Sequence, residues 1–533
     1  MRVCLYLDPS RLLRWHQWLA EALAERRENE VFCAFAAKRH PLPSIYRLLI
    51  DLERLVYGFG VNGATDPFET ELRSLPSFPV GNADTIINLC GEVHPAKGGR
   101  VLTPLFNGVP GELGVLAAIA NDEDLVIELH DSASPSGSWT ARPARGDRNV
   151  FAAGLDSALS CAIALILKAL HSEAALDVFN TTWVKKTQRL GAFSVLAFAT
   201  SAAAAKAIKF VDLLARGGKT WVIAWRFDEK ASLLEKGEAN FRVVASQANG
   251  FLADPFPFEH QGRHFIFFEQ YLNSERRGCI AVATADEKSI TAPQIVVEET
   301  HHLSYPFVFE HDGQIWMIPE SGAARSVTLY RAVEFPHRWT REACLTKGIE
   351  LYDITPLQHQ GGFWFFGTPR AWASTSWDAL SIYSAENLSG MWTPHVHNPL
   401  LIDAAAGRSA GAFVQHGGRT LRPAQDCSRY YGAAVTFFQI DVLDRLRFVQ
   451  TPVGRVATGA LGCHTYNRHA GLEVLDLFGH VAGLREATAS YGPITSRSTN
   501  AHGQAPVGLS NEVKQTPTAI EDQKYGRCTT DTL

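Results

Sequence analysis

The pattern of apolar and polar positions changes character near residue 219. Before it, short apolar runs at Arg2–Leu7, Glu30–Ala36, Ala83–Leu89 and Leu125–Leu129 alternate with segments whose apolar residues recur at helical spacing, at 12–23, 43–58 and 111–120. Strands alternating with helices predict a parallel α/β sheet in an N-terminal domain, 1–150, whose ligand loops follow the strands. Gly91–His94 and Asn107–Gly111 occupy such loops. From 151 to 216 the pattern is helical and stops at Gly217-Gly218, which predicts a helical connector over 151–218.

From Lys219 the period falls to two. Phe251–Tyr271 places an alternating apolar run before a turn glycine and an aromatic-rich run after it, and Ser304–Ser321 repeats the arrangement. The turn glycines Gly262, Gly313, Gly361, Gly417 and Gly471 are 51, 48, 56 and 54 residues apart, and third strands follow at 279–286, 328–339 and 380–392. Four short strands per unit at this period predict an all-β five-bladed β-propeller over 219–476. The fifth unit carries only two strands' worth of pattern, so 219–227 and 241–246 are predicted to complete it and close the ring without an open edge. From about Leu477 the chain is polar and aperiodic, which predicts a disordered tail, 477–533.

Composition narrows the partners. A formal charge of -5 with 20% charged residues offers no global basic field for nucleic acid or anionic lipid. The nine cysteines are scattered without a CxxC pair, which argues against a zinc knuckle or a disulfide framework and for a reducing compartment. The start lacks the features of a signal peptide, so the expected location is cytoplasmic. Phe151–Leu170 is interrupted by Asp156 and Lys168, and Gly191–Ala205 is short of the roughly 20 residues a spanning helix needs. Both are read as packed helices, with no transmembrane segment. His301-His302 and the pair His395/His397 lack carboxylates at ligand spacing, so neither a metal nor a cofactor is expected.

In a propeller, equivalent positions of the inner strands converge on one axis. Eight residues before the turn glycines stand Asp254, Tyr305, Asp353, Ser409 and Cys463; seven after stand Glu269, Glu320, Thr368 and Ala424, or Gln425 if Gly418 is the marker. Asp254, Glu320 and Asp353, with Tyr305 and Trp316 beside them, predict a polar pocket with stacking surfaces. Two carboxylates across a sugar can protonate the leaving oxygen and activate the incoming nucleophile. Arg422, Gln425 and Asp426 add planar donors and an acceptor. They would either bind a carboxylate, phosphate or sugar hydroxyls, or tie Arg422 to Asp426 or to the channel carboxylates. His464 opens the fifth inner strand and is placed to complete the pocket.

Ala253-Asp254-Pro255 looks like the Asp-Pro that opens the first blade of five-bladed glycosidases of the arabinanase and xylosidase type. That resemblance implies Asp254 as base, Asp353 as an orienting or pKa-setting carboxylate, and Glu320 as acid, although the analogous acid comes from a later blade. The runs DPFPFEHQGRHFIFFEQY, HHLSYPFVFEHDGQIWMIPES, DITPLQHQGGFWFFGT and RPAQDCSRYYG resemble the N-terminal domain of plant glucosamine inositolphosphorylceramide transferases and bacterial relatives, over roughly 240–450. The resemblance implies a glycan or glycolipid substrate and glycosyl hydrolysis or transfer. In the plant proteins a separate exostosin-type domain accompanies this one, and nothing here resembles it. A non-catalytic glycan-binding or scaffold module is therefore the alternative. The N-terminal layout, with ADTIINL before a loop and a glycine-containing helix start, is similar to the N-terminal domain of formyltransferases. GRVLTPLFNGVPGELG lacks that family's His and Arg-Gly, so no formyl-transfer residue is carried over; formyl transfer to an amino sugar would need His94 or Asn107.

Overall fold

The structure, a computed structural model, describes residues 1–58, 63–76, 80–91, 99–133, 138–171, 191–244, 249–480 and 486–494. His94 and the predicted tail beyond 494 lie outside these residues. The chain forms two compact units: Met1–Ile208 with 371–375 and 401–403, and the remainder from Lys209.

The first unit contains, in order, β1 (Arg2–Leu7), α1 (Arg14–Ala24), β2 (Glu30–Phe35), α2 (Ser44–Tyr57), α3 (Glu69–Ser74), β3 (Thr85–Asn88), β4 (Arg100–Phe106), β5 (Val109–Pro110), α4 (Glu112–Ala120), β6 (Ile127–Asp131), β7 (Ser138–Ala141) and α5 (Phe151–His171). α6 (Ala192–Arg216) begins in it. The sheet order is β2-β1-β3-β4-β6-β7. β2, β1, β3 and β4 are parallel, whereas β6 and β7 are antiparallel, which corrects the all-parallel expectation. The reversal has a local cause. Asn107, at φ +49°, turns the chain at the end of β4, and its Oδ1 accepts the Val126 N–H at 2.8 Å, so the segment returning through α4 enters the sheet beside β4 and runs backwards.

α5 is a core helix of this unit, with Leu155, Leu159, Ile163 and Ile166 inaccessible to solvent. α6 is different. It packs through a narrow stripe that includes Val195 and Phe198 and leaves most of its surface exposed, which corrects its reading as a packed helix. The apolar stretch does not end at Ala205; it continues through Ile208, Phe210, Val211, Leu213 and Leu214, and α5 and α6 are both long and apolar enough to cross a membrane by length and composition.

The second unit carries β8 (Lys219–Phe227), α7 (Leu233–Lys236), β9 (Glu238–Val243), β10 (Gly250–His260), β11 (Arg263–Leu272), β12 (Arg277–Ala285), β13 (Gln294–Val297), β14 (Ser304–His311), β15 (Gln314–Glu320), β16 (Ser326–Glu334), β17 (Arg338–Lys347), β18 (Leu351–His359), β19 (Gly362–Pro369), β20 (Ala379–Ala385) and β21 (Thr393–Pro394). After the two-residue β22 (Leu401–Ile402) come β23 (Val414–His416), β24 (Arg419–Asp426), β25 (Ala434–Leu443), β26 (Phe448–Thr458), β27 (Tyr466–His469), β28 (Leu472–His480) and β29 (Glu486–Gly492).

These strands form five antiparallel blades: β10–β13, β14–β17, β18–β21, β23–β26, and a fifth in the order β27-β28-β8-β9. β8 pairs with β28 over its whole length, from Lys219 opposite His480 to Phe227 opposite Leu472. A strand buried on both faces needs apolar residues without alternation, and β8 and β28 have them. Val222, Ala224, Leu475 and Leu477 enter one core cluster, while Ile223, Trp225, Leu472 and Val474 enter another. β29 then pairs with both β26 and β9, fusing the fourth and fifth blades into one nine-stranded sheet. The expectation of disorder from Leu477 is thereby corrected for 477–480 and 486–492. Two unpaired strand edges offer a ladder even to the polar sequence EATASYG.

Candidate functional site

The first three inner strands, β10, β14 and β18, share one irregularity. Ala253 pairs with Glu269 and Phe256 with Phe267; Ser304 pairs with Glu320 and Phe307 with Ile318; Tyr352 pairs with Thr368 and Thr355 with Phe366. In each blade two residues of the inner strand oppose one of its partner, a β-bulge. The first extra residue of each is left-handed: Asp254 at φ 52°, Tyr305 at 44° and Asp353 at 50°. Non-glycine residues are uncommon there, and the conformation costs of order 1–3 kcal/mol at each position. The repeat spacing legible in the sequence thus corresponds to one backbone device used three times to re-aim a side chain.

Asp254 is buried and joins the first blade to the fifth. Its Oδ1 accepts the Thr465 hydroxyl at 3.0 Å, its Oδ2 accepts the Tyr305 N–H at 3.3 Å, and its own N–H donates to Asp476 Oδ2 at 3.1 Å. Asp476 Oδ1 accepts the N–H groups of His464 and Thr465 at 2.8 and 2.9 Å, and its Oδ2 binds His464 Nδ1. His464 Nδ1 is also 3.7 Å from Asp254 Oδ1. Asp254, His464 and Asp476 each offer a ligand atom within 4.8 Å of the others, close enough for one cation. In this structure Nδ1 already meets Asp476 Oδ2, so the three residues form a hydrogen-bonded network.

Asp353 forms a second centre. Arg408 grips it with Nε on Oδ2 at 2.6 Å and Nη2 on Oδ1 at 3.2 Å, and Gln425 Nε2 donates to Oδ2 at 2.8 Å. Arg408 also donates to the Ser376 carbonyl and hydroxyl. Tyr305 lies between the two centres. Its hydroxyl bonds Thr355 Oγ1 at 2.9 Å and accepts the Gly411 N–H at 2.6 Å. Burial, reinforced by the charges of Asp353 and then Asp254, pushes this phenol well above its ordinary value and keeps it neutral.

Glu320 Oε2 accepts the Ser304 hydroxyl at 2.9 Å, and its Oε1 accepts the Gly322 N–H. Glu269, in register with Ala253, stands 3.3 Å from His302 Nε2; a Cβ on residue 278 would lie 2.6 Å from its Oε1, so glycine permits the approach. Trp316 is not brought to this cluster. It lies four residues before Glu320 on β15, roughly 13 Å at strand rise, and its indole donates to the His311 carbonyl. Arg422 pairs with neither Asp426 nor the channel carboxylates. It donates to the carbonyls of Ala406 and Gly407 at 2.8 and 2.6 Å, and burial lowers its guanidinium to about 9. Asp426 instead accepts from Ser428 and pairs with Arg455 at 3.0 Å.

Sequence reasoning missed Arg408, Thr465 and Asp476, and with them an aromatic wall. Trp221 stacks on His464 with centroids 3.9 Å apart, Tyr431 meets the same imidazole edge-on at 5.1 Å, and Trp377 lies 5.4 Å from Tyr431. Arg408 sits over Tyr431 at 5.0 Å. In the first unit, Asn107 is engaged by its turn, donating to the Asp124 carbonyl at 3.0 Å as well as accepting from Val126.

Residues 237–472, from the residue before β9 to the first residue of β28, match the family described as glucosamine inositolphosphorylceramide transferase 1, N-terminal. Glucosamine inositolphosphorylceramide transferase 1 of Oryza sativa subsp. japonica is 34% identical over 210 residues, covering 38% of this chain and 28% of its own length. Its namesake from Arabidopsis thaliana is 32% identical over 210 residues, covering 38% and 27%. The chain thus spans less than a third of the length of these relatives. Among solved structures, a GH43_1 enzyme from Xanthomonas citri aligns with a TM-score of 0.35 at 10% identity, over 49% of this chain and 92% of that one. Zg3597, a family 117 glycoside hydrolase from Zobellia galactanivorans, aligns with a TM-score of 0.32 at 11% identity, over 48% and 90%.

Proposed function

We propose that the propeller is carbohydrate-active and handles a glycosyl group of a glycan or glycolipid at its axis, by hydrolysis or transfer. The observation that carries the reading is the threefold use of a costly left-handed bulge to aim Asp254, Tyr305 and Asp353 from successive blades. The match of residues 237–472 to a glycolipid-transferase N-terminal family supplies the substrate class. In this reading Asp254, flanked by His464 and Thr465, takes the proton of the attacking hydroxyl or water. Glu320 returns a proton to the leaving oxygen. Asp353, neutralised by Arg408, holds the site's geometry and field.

A second reading, a glycan-recognition module without turnover, draws on a specific observation: each of the three carboxylates is buried and already accepts internal donors. For Glu320 to act as an acid, an oxygen that now accepts must instead carry a proton. A screen of glycosides and glycolipids with wild type, Asp254→Asn and Glu320→Gln separates the two. Asparagine is the informative replacement because it tolerates the left-handed region. Catalysis predicts turnover by wild type and a loss of about 100-fold or more in each variant. Binding by all three proteins with turnover by none would leave only the recognition reading.

A further inference from the structure

More than half of the exposed large apolar side chains among the described residues sit on two helices, α2 and α6. On α2 they are Leu48, Leu52, Leu55 and Val56 together with Ile45, spaced along one face; Leu55 is 81% exposed. The opposite face, through Tyr46, Leu49 and Ile50, is buried. On the part of α6 that belongs to the first unit, 192–208, the exposed set is Phe193, Leu196 and Ile208, with Phe193 at 83%. The two helices share a support. Phe151 of α5 contacts Tyr46 of α2 with centroids 5.6 Å apart and Phe198 of α6 at 5.4 Å, and Lys206 of α6 lies 3.9 Å over the ring of Tyr57 at the end of α2.

We infer that α2 and the first-unit part of α6, 192–208, form a lipid-facing surface by which the protein lies on an anionic membrane. This inference goes beyond the proposed chemistry and does not depend on it. Contiguous exposed apolar surface of this kind marks an interaction site. The charge around it points to lipid: Lys38 and Arg39 lie in the segment between β2 and α2, Arg47 stands on α2 and Lys206 on α6, all exposed. An apolar helix face bordered by cations is the pattern of an interfacial helix that meets acidic headgroups. This is a local basic patch within a chain of net charge -5.

The geometry points to lying on the bilayer, not crossing it. Val195 and Phe198 fix the start of α6 in the first unit's core, and Ala199 and Ala202 pack against the same core. One side of this part of α6 is therefore committed to protein. At 1.5 Å per residue the outer side of 192–208 offers a strip about 25 Å long, enough to sink into the headgroup boundary.

The test is flotation of the full chain with phosphatidylcholine vesicles and with mixed phosphatidylcholine–phosphatidylglycerol vesicles. Wild type is expected to float with the mixed vesicles and less with neutral ones. The combined variant Leu55→Glu/Phe193→Glu/Leu196→Glu, at positions exposed enough to leave the fold and its melting temperature unchanged, is expected to lose about tenfold or more of the bound fraction. Lys38→Glu/Arg39→Glu/Arg47→Glu should remove the preference for phosphatidylglycerol. The inference is overturned if wild type stays at the bottom of the gradient with both vesicle types, or if the apolar variant floats as wild type does. It is equally overturned if light scattering shows a lipid-free wild-type dimer that binds no vesicles and that the apolar variant dissociates, since a second copy would then own the surface.

Discussion

Arg408 and Asp353 set the energetic character of the axis. Both are about 1% exposed, and the guanidinium spends its donors on one carboxylate and one serine. Removing one partner of such a pair leaves a buried charge uncompensated, which costs about 3–5 kcal/mol, whereas replacing both with apolar groups costs far less. Arg408→Met is therefore expected to lower unfolding stability by about that amount, and Asp353→Asn/Arg408→Met, which also removes the carboxylate charge and keeps a residue that tolerates the left-handed region, to recover much of it, as measured by chemical denaturation. A full recovery of glycoside turnover in the double variant would show that Asp353 has no part in the chemistry. Asp353 was legible from the sequence because it falls in the repeat column eight residues before a turn glycine. Arg408 was not, because it is the neighbour of Ser409 in that column, and its relation to Asp353 depends on how the third and fourth blades meet. Asp476 was hidden for a related reason: it lies five residues after Gly471, and the column followed across the other blades lies seven after.

At the scale of elements, the start of α4 shows how the first unit is fastened. Glu112, in the first helical turn, receives Arg11 Nη1 at 2.9 Å, His16 Nε2 at 3.0 Å and the Trp15 indole at 3.2 Å, gathering the loop after β1 and helix α1 around one carboxylate. Burial works to raise its pKa, but Arg11 and His16 more than offset this, and the net direction is downward from 4.5. A depressed carboxylate contributes stability that is complete above its unfolded value of 4.5 and fades as pH falls from there through the lower folded value. Melting temperatures followed from about pH 7 to about pH 3 should show this acid loss in wild type and a flatter profile in Glu112→Gln. A profile of equal steepness in the variant would assign the acid loss to other groups. The ring closure by β8 and β9 was readable, because five turn markers left one blade two strands short. β29 was not, since seven mostly small and polar residues acquire strand structure only from the edges they find. The exposure of α6 was equally hidden. An alanine-rich helix has no polar face by which periodicity could reveal which side meets protein.

Across the whole molecule, two compact units with separate cores imply two cooperative unfolding events. Scanning calorimetry should resolve two transitions, with Arg408→Met moving one and Glu112→Gln the other. A single transition moved by both substitutions would mean that the units unfold as one body. The closure of the fifth blade carries a further consequence, for synthesis. On a ribosome, β8 emerges before any other strand of the propeller, yet its partner along its full length, β28, is made only after the first four blades. The nascent chain must carry an apolar strand without its mate while those blades form. Completion of the ring is thus a late event that registers whether translation has reached residue 480, and a prematurely ended chain would present the edge of β8 that β28 covers, a feature by which quality control could recognise it.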